Sequence, residues 1–218
     1  MGKLITLLKE FTSAIIAGIM IGIGGTVYLS VNDPVIGSLL FAVGLFTIVI
    51  YQFNLFTGKI GYLIYQTHKT ILDYIKLLVV TWVGNFTGTD LYCCLIYYIK
   101  PELDTKATAL CNTKLTQSWY VTLILGIFCG LLMFIAVDNF KHNESNISKY
   151  IGVFVCVSVF ILCKFEHCVA DMFYFGMMNG LSDTSWTCIK YLLIVTLGNT
   201  IGSFILPSYN KLKEFINN

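Results

Sequence analysis

The sequence predicts an all-α integral membrane protein in which six transmembrane helices form two related halves. Composition predicts the class, because 56% of the 218 residues are hydrophobic and 12% are charged, whereas soluble proteins carry roughly 25% charged residues. The mean hydropathy is +0.77. Six apolar stretches then predict the helices, since a helix needs about 20 apolar residues to cross a bilayer.

The six predicted spans follow one another with polar connections. Residues 1–12 form an amphipathic lead without the cleavage site of a signal peptide, so the first span is expected to remain in the mature protein. In one single domain, residues 13–99 are the first half-repeat, residues 119–207 the second, and residues 208–218 a cytoplasmic tail. The spans are residues 13–30, 36–56, 71–99, 119–137, 150–180 and 187–206.

An even number of spans puts both termini on one side of the membrane, and the lysines predict which side. Eight lysines flank the spans on the side of the termini, and four lie on the opposite side. Under the positive-inside rule this favours cytoplasmic termini in the inner membrane of a cell. The eight are Lys3, Lys9, Lys69, Lys76, Lys141, Lys149, Lys211 and Lys213, and the four are Lys100, Lys106, Lys114 and Lys190.

Charge and cysteine content exclude several other classes. The formal net charge is +2 and all fourteen basic residues are Lys, so no basic surface for nucleic acid is expected. Most of the eight Cys lie in apolar stretches and are interpreted as small buried hydrophobic residues. We expect no nucleic-acid partner, no metal and no cofactor.

Polar residues interrupt the second and fifth spans. The second span meets Gln-Phe-Asn-Leu-Phe-Thr-Gly-Lys at residues 52–59, and the fifth meets Lys-Phe-Glu-His at residues 164–167. A charged residue at membrane depth costs about 2.5–3.5 kcal/mol on insertion scales, so such residues normally face protein or a water-filled path. Both spans are therefore predicted to be broken helices.

The two halves share sequence at matching positions. Gly-Asn-Phe-Thr-Gly at residues 84–88 corresponds to Gly-Asn-Thr-Ile-Gly at residues 198–202, and residues 54–57 correspond to residues 166–169. Three spans per half give the halves opposite orientations, and breaks at matching positions of inverted halves point to a transport site near the middle of the membrane. Three residues are expected to be structural at the breaks, by binding freed backbone or by pairing with a cation: Asn85, Asn199 and Glu166.

Four motifs together resemble a known family. Phe-Glu-His-Cys-Val-Ala-Asp-Met at residues 165–172 is similar to the Phe-Glu-His-Ser-x-Ala-Asn-Met signature of the formate/nitrite transporter family. Leu-Phe-Thr-Gly at residues 55–58 resembles the loop signature of its second helix. Residues 82–85 and 197–202 match its third and sixth helices. The resemblance runs from about Ala14 to Leu206, in the same order and spacing.

The resemblance implies an aquaporin-like protomer in a membrane homopentamer with one pore per subunit. Members of this family pass small monovalent anions of weak acids, namely formate, nitrite or hydrosulfide. Their central chamber lies between two apolar constrictions, and by resemblance Phe41 and Leu45 fall at the cytoplasmic one and Phe160 at the periplasmic one. Thr57 and His167 match the threonine and histidine that face each other in the centre.

Three residues depart from the family pattern. Lys164 stands where Gly is common, Asp171 replaces the Asn of the signature, and Gly130 replaces an Asn of the fourth helix. Lys164 adds a cation one helical turn before His167, and we therefore place it with His167 and Thr57 in the centre of the pore. These departures leave the choice among formate, nitrite and hydrosulfide open.

The chemistry of a buried imidazole suits a weak-acid anion. Burial and a nearby cation both oppose protonation of His167, and an arriving anion supplies the missing counter-charge. The ring can then donate a hydrogen bond to the anion or pass it a proton.

Two other functions compete with anion transport. The alternative is an aquaporin-like pore for neutral solutes such as water, ammonia or a polyol. Its usual marks, paired Asn-Pro-Ala loops and a filter Arg, are absent from the sequence. An enzyme is not expected, because no metal trio or nucleophile–base pair occurs at credible spacing.

Overall fold

The computed structural model describes residues 2–178 and 186–217, which are helices joined by short turns. The predicted end of the fifth span, Asn179 and Gly180, lies outside the described residues. In chain order the helices are α1 (Gly2–Ser30), α2 (Pro34–Phe41), α3 (Val43–Tyr51), α4 (Phe56–Lys59), a 3₁₀ helix (Ile60–Tyr65), α5 (Ile71–Ile99), α6 (Glu102–Leu115), α7 (Trp119–His142), α8 (Asn146–Leu162), α9 (Cys168–Met178) and α10 (Trp186–Asn217).

Four of these helical segments are long and apolar enough to cross a membrane: α1, the α2–α3 segment, α7 and α10. The apolar helices α8 and α9 are shorter, with 17 and 11 residues, because the break divides the predicted fifth span between them. Helix α5 has 29 residues and coincides with the predicted third span. Its hydropathy is reduced by three charged residues, Asp73, Lys76 and Asp90.

Two helix starts follow directly from the local sequence. The Asp33 carboxylate accepts the backbone N–H groups of Val35 and Ile36, both at 2.9 Å, and Pro34 is the first residue of α2. This is the arrangement that satisfies the free amides of a first turn. The Ser145 hydroxyl likewise accepts the Ser148 N–H at the start of α8.

Close packing of small residues joins equivalent helix pairs in the two halves. Helix α1 packs along α5, and α7 packs along α10. A side chain added at Gly88 would meet the Ile15 carbonyl oxygen, and one added at Gly202 would meet the Ile127 carbonyl oxygen. The absent side chains thus let the backbones approach, as expected for small residues in membrane helices.

Three polar segments predicted to lie outside the spans contain helix. The connection at residues 100–117, predicted as an outer loop, contains α6. Residues 2–12 of the predicted lead are part of α1, and residues 208–217 of the predicted tail are part of α10. Sequence composition marks these segments as polar, but it does not distinguish a loop from a polar helix.

Replacing Gly202 with alanine is expected to destabilise the helix pair α7–α10. The new Cβ would collide with backbone atoms of Ile127 and Leu131, and overpacking of this kind costs about 1–3 kcal/mol. The measurement is the thermal unfolding midpoint of the purified protein in detergent. The control is Gly2→Ala, whose Cβ meets nothing within 4 Å. Equal midpoints for the two variants would contradict the packing.

Candidate functional site

The first break lies between α3 and α4. Helix α3 ends at Tyr51, and Gln52 adopts the left-handed conformation with φ of 58°. The Phe53 N–H then donates to the Ile48 carbonyl at 3.0 Å, which closes the helix with a Schellman-type bond. The chain resumes a helix at Phe56.

The second break repeats this geometry between α8 and α9. Lys164 is left-handed with φ of 54°, and the Phe165 N–H donates to the Phe160 carbonyl at 2.8 Å. A left-handed residue favours glycine, because any side chain is strained in that conformation. This gives a physical reason for the glycine common at this position in the family that the sequence resembles, and Lys164 retains the strain.

Asn85 ties the first break to its neighbours. Its Oδ1 accepts the Phe56 N–H at 2.9 Å, and its Nδ2 donates to the carbonyl oxygens of Asn54 and Ala14, both at 2.8 Å. The side chain is fully buried. Both amide hydrogens and the amide oxygen therefore serve backbone groups that would otherwise lack partners.

Asn199 makes the same three contacts at the second break. Its Oδ1 accepts the Cys168 N–H at 2.9 Å, and its Nδ2 donates to the carbonyl oxygens of Glu166 at 2.7 Å and Gly126 at 2.8 Å. Asn199 is also fully buried. The amide side chain of Asn85 in α5 thus stabilises the first break, and that of Asn199 in α10 stabilises the second.

The two breaks meet at Thr57 and His167. The Thr57 Oγ1 lies 2.9 Å from the His167 Nε2, and both residues are buried. The Ala170 N–H donates to the His167 Nδ1 at 3.1 Å. Because a backbone N–H can only donate, Nδ1 is an acceptor, and the neutral ring carries its proton on Nε2 and donates it to Thr57. The structure therefore brings this predicted pair together.

Aromatic rings cover one side of the histidine. The Phe160 ring stacks on the His167 ring with centroids 5.6 Å apart, and the Phe41 ring meets Phe160 edge-on at 5.9 Å. Phe41 and Phe160, which by resemblance fall at separate constrictions, therefore contact each other in the structure. Helix α2 packs along α8, which brings Phe41, at the end of α2, next to Phe160. Leu45 is buried in α3.

Lys114 is the buried cation of the site, a role that was not predicted from the sequence. Its Nζ pairs with the Glu166 carboxylate and lies 2.9 Å from Asp171 Oδ1. Gln117 Nε2 donates to Glu166 Oε1 at 3.4 Å. Glu166 thus pairs with a cation through its side chain, while its backbone carbonyl accepts a hydrogen bond from Asn199.

Lys164, predicted in the centre of the pore, is exposed at the mouth of a small cavity. Lys164 is the left-handed residue of the second break. A sequence signal for Lys114 exists in the spacing of Leu103, Ala107 and Cys111, which recur every four residues and are buried. This spacing is typical of the inner face of an amphipathic helix, and Lys114 follows on that face.

Two cavities approach the Thr57–His167 pair. The first, here called the Lys114 cavity, has a volume of about 50 Å³ and is lined by Lys114, Phe160, Lys164, His167 and Asp171, among others. The second, here called the Lys59 cavity, measures about 400 Å³. Its walls include Ile48, Gln52, Leu55, Gly58, Lys59, Val137 and Lys141. Leu55 and Gly58 lie on either side of Thr57 in the sequence, so the second cavity lies beside the first break.

Comparison with known proteins identifies the family. A sequence model described as Formate/nitrite transporter matches residues 3–210. The chain belongs to the formate/nitrite transporter family. It is 24% identical to the formate channel FocA of Haemophilus influenzae, over 90% of this chain and 83% of that protein. It is also 24% identical to the nitrite transporter NirC of Escherichia coli, over 89% of this chain and 79% of that protein.

The fold is also that of solved channels. A structure described as a pentameric formate channel with formate bound matches with a TM-score of 0.85 at 24% sequence identity. The match covers 97% of this chain and 98% of that chain. Membership of the formate/nitrite transporter family and the long apolar helices make this an integral membrane protein.

Replacing Asn85 with aspartate is expected to disrupt the first break. The two donated hydrogen bonds to Ala14 and Asn54 would be lost, and a carboxylate oxygen would face their carbonyl oxygens. Leaving buried polar groups unpaired costs about 1–3 kcal/mol each, so we expect the thermal unfolding midpoint to fall sharply. The matched control is Asn210→Asp, an exposed position in α10. A variant with the wild-type midpoint would contradict the role of the amide.

Proposed function

We propose that the protein is a channel for small monovalent anions of weak acids: formate, nitrite or hydrosulfide. The observation that carries the proposal is the buried contact between Thr57 and His167, made where two broken helices meet. A hydrogen-bonding pair at this place is the kind of group that binds a polar solute inside a membrane. Two relatives, named a formate channel and a nitrite transporter, support the substrate class.

We propose an architecture of six spans in an inverted 3+3, aquaporin-like arrangement, with both termini in the cytoplasm and the protein in the inner membrane. The support is the equivalence of contacts at Asn85 and Asn199 and the likeness to channel structures. We also propose a homopentamer with one pore per subunit, supported by the solved structure described as pentameric. The spans would contact lipid through exposed apolar side chains, which are numerous along the helices.

Positive charge favours entry of an anion through the Lys59 cavity. Lys59 and Lys141 both line it, together with the amide side chain of Gln52. The cavity walls are otherwise largely apolar, with Ile48, Leu55 and Val137, so the field of the two lysines is weakly screened. An anion drawn into this cavity would arrive at the residues flanking Thr57.

Beyond the cavity, the path becomes apolar and narrow. Phe41, Leu45 and Phe160 are almost fully buried, and Phe160 lies on the His167 ring. Apolar constrictions exclude hydrated ions, and a bare charge pays a large desolvation cost there. A protonated anion is neutral and avoids this desolvation cost. Weak-acid anions would therefore pass as neutral acids, whereas chloride, which stays ionised, would not.

His167 would bind the anion in the centre together with Thr57. An anion beside the ring supplies the counter-charge that favours an imidazolium, and the ring can then donate to the anion or transfer a proton to it. Taking up a second proton requires Nδ1 to release the Ala170 N–H. The rate of transport would therefore depend on pH.

The function is tested by solute flux into proteoliposomes that contain the purified protein. Formate, nitrite, hydrosulfide, chloride and glycerol are compared at several pH values. We expect uptake of at least one weak-acid anion to exceed that of chloride and to rise as the pH falls, because the protonated species crosses the apolar region. Glycerol or water flux without anion flux would contradict the proposal and favour the neutral-solute pore.

His167→Asn is expected to lower weak-acid flux by about tenfold or more and to flatten its pH dependence, since a positioned proton donor contributes at least this factor. His68→Asn is the matched control, because His68 is exposed in the connection before α5. Its flux and pH profile should equal those of the wild type. An unchanged pH profile in His167→Asn would exclude the histidine from proton transfer.

A further inference from the structure

Two carboxyl groups share a single buried cation beside the pore. Lys114 pairs with both Glu166 and Asp171. The side chains are 10% exposed for Lys114 and 1% exposed for each carboxylate. If both carboxyl groups were ionised, the cluster would hold one net negative charge away from water, which is costly.

The geometry of the two carboxyl groups favours one proton between them. The Glu166 and Asp171 carboxyl groups both pair with the same Lys114 ammonium group and therefore lie close together, and two neighbouring carboxylates repel unless one of them carries a proton. Asp171 Oδ2 accepts no hydrogen bond from any residue in the described ranges. A proton on this pair would convert a repulsive contact into a hydrogen bond and would balance the charge of Lys114.

No other described group offers the missing positive charge. The titratable side chains within electrostatic reach of Asp171 on the packed helices are thiols and phenols, which are neutral when protonated: Cys111, Cys129, Cys168, Tyr174 and Tyr191. Lys164 lines the same cavity, but its side chain is exposed at the mouth. Among the described residues it forms no ion pair with either carboxyl group.

His167 can take up a second proton only after its Nδ1 releases the Ala170 N–H. Nδ1 accepts the Ala170 N–H, and Nε2 is engaged with Thr57. Asp171 and His167 both line the Lys114 cavity, whose volume of about 50 Å³ exceeds the space that one water needs. A small anion in this cavity would therefore be enclosed by residues that include Asp171 and His167.

We propose that Glu166 and Asp171 hold one proton between them beside Lys114, and that Asp171 donates this proton to the weak-acid anion in the Lys114 cavity. This rests on the proposed function as an anion channel. In the transfer, the O–H bond of the carboxyl group breaks and a new bond forms between the proton and an oxygen of formate or nitrite, or the sulfur of hydrosulfide. The neutral acid leaves, and a proton from the adjoining aqueous solution restores the carboxyl group.

The departure of Asp171 from the family signature then has a chemical meaning. The asparagine of the signature can hydrogen-bond to a lysine–glutamate pair but cannot carry a transferable proton. In this chain, the aspartate adds a proton donor of its own beside the pore.

Infrared spectroscopy of the protein in lipid vesicles, combined with flux, tests the proposal. The carbonyl stretch of a protonated carboxyl group should be present in the wild type near neutral pH. It should be lost in Asp171→Asn and in Glu166→Gln, because one carboxylate and Lys114 balance without a proton. The same two variants should show weak-acid uptake reduced by about tenfold with a changed pH profile. The control is Glu102→Gln, because Glu102 is exposed and lies 3.8 Å from Lys100. This variant should retain the carbonyl band and the uptake of weak acids.

The possible outcomes separate this proposal from the proposed function. A wild type without the band, or an Asp171→Asn variant that keeps the wild-type pH profile of anion uptake, would overturn the proton-sharing pair. A band that behaves as expected in a protein that moves no anion would support the pair and contradict the channel function. If Asp171→Asn does not fold, Glu166→Gln makes the same test, because it removes the shared proton while leaving Asp171 opposite Lys114.

Discussion

Two asparagine side chains, Asn85 and Asn199, satisfy backbone groups that two membrane helices leave free where they break. A free N–H or carbonyl in a membrane interior has no water to bind, so an unsupported break would be strongly unfavourable. Each amide accepts the first N–H of the resumed helix and donates to a carbonyl within the break. These contacts also position Thr57 and His167. Thr57 follows directly after Phe56, whose N–H is bound, and His167 lies between residues whose carbonyl oxygen and N–H are both bound.

The backbone at the same two asparagines explains two of the glycines around them. The Asn85 carbonyl approaches Gly18, and the Asn199 carbonyl approaches Gly130 at the equivalent place. A side chain at either glycine would push the asparagine helix away and lengthen the hydrogen bonds to the break. Gly130 departs from the pattern of the family, and in this chain the position requires a small residue because the α10 backbone approaches it closely.

The breaks and their asparagines can be predicted from the sequence because both are local or repeated features. Polar residues inside an apolar stretch mark residues 52–59 and 164–167, and the repeat relates Asn85 to Asn199. The pairing of Lys114 cannot be predicted in this way, since it joins residues 52 positions apart and its segment has the composition of a loop. Spacing along the chain likewise places Phe41 relative to a break, but it does not show that α2 lies against α8 and brings Phe41 to Phe160.

Removal of the anion's charge is the step that links the geometry of the site to the proposed transport. In the proposed channel, the apolar residues around His167 would admit a weak-acid anion only if its charge is removed on the way, and the buried groups of the Lys114 cavity would determine how this occurs. The most direct measurement is the uptake of protons and of formate recorded together in proteoliposomes without a membrane potential. Transport as a neutral acid predicts one proton taken up with each formate. Formate uptake that carries an electrical current and no protons would contradict it.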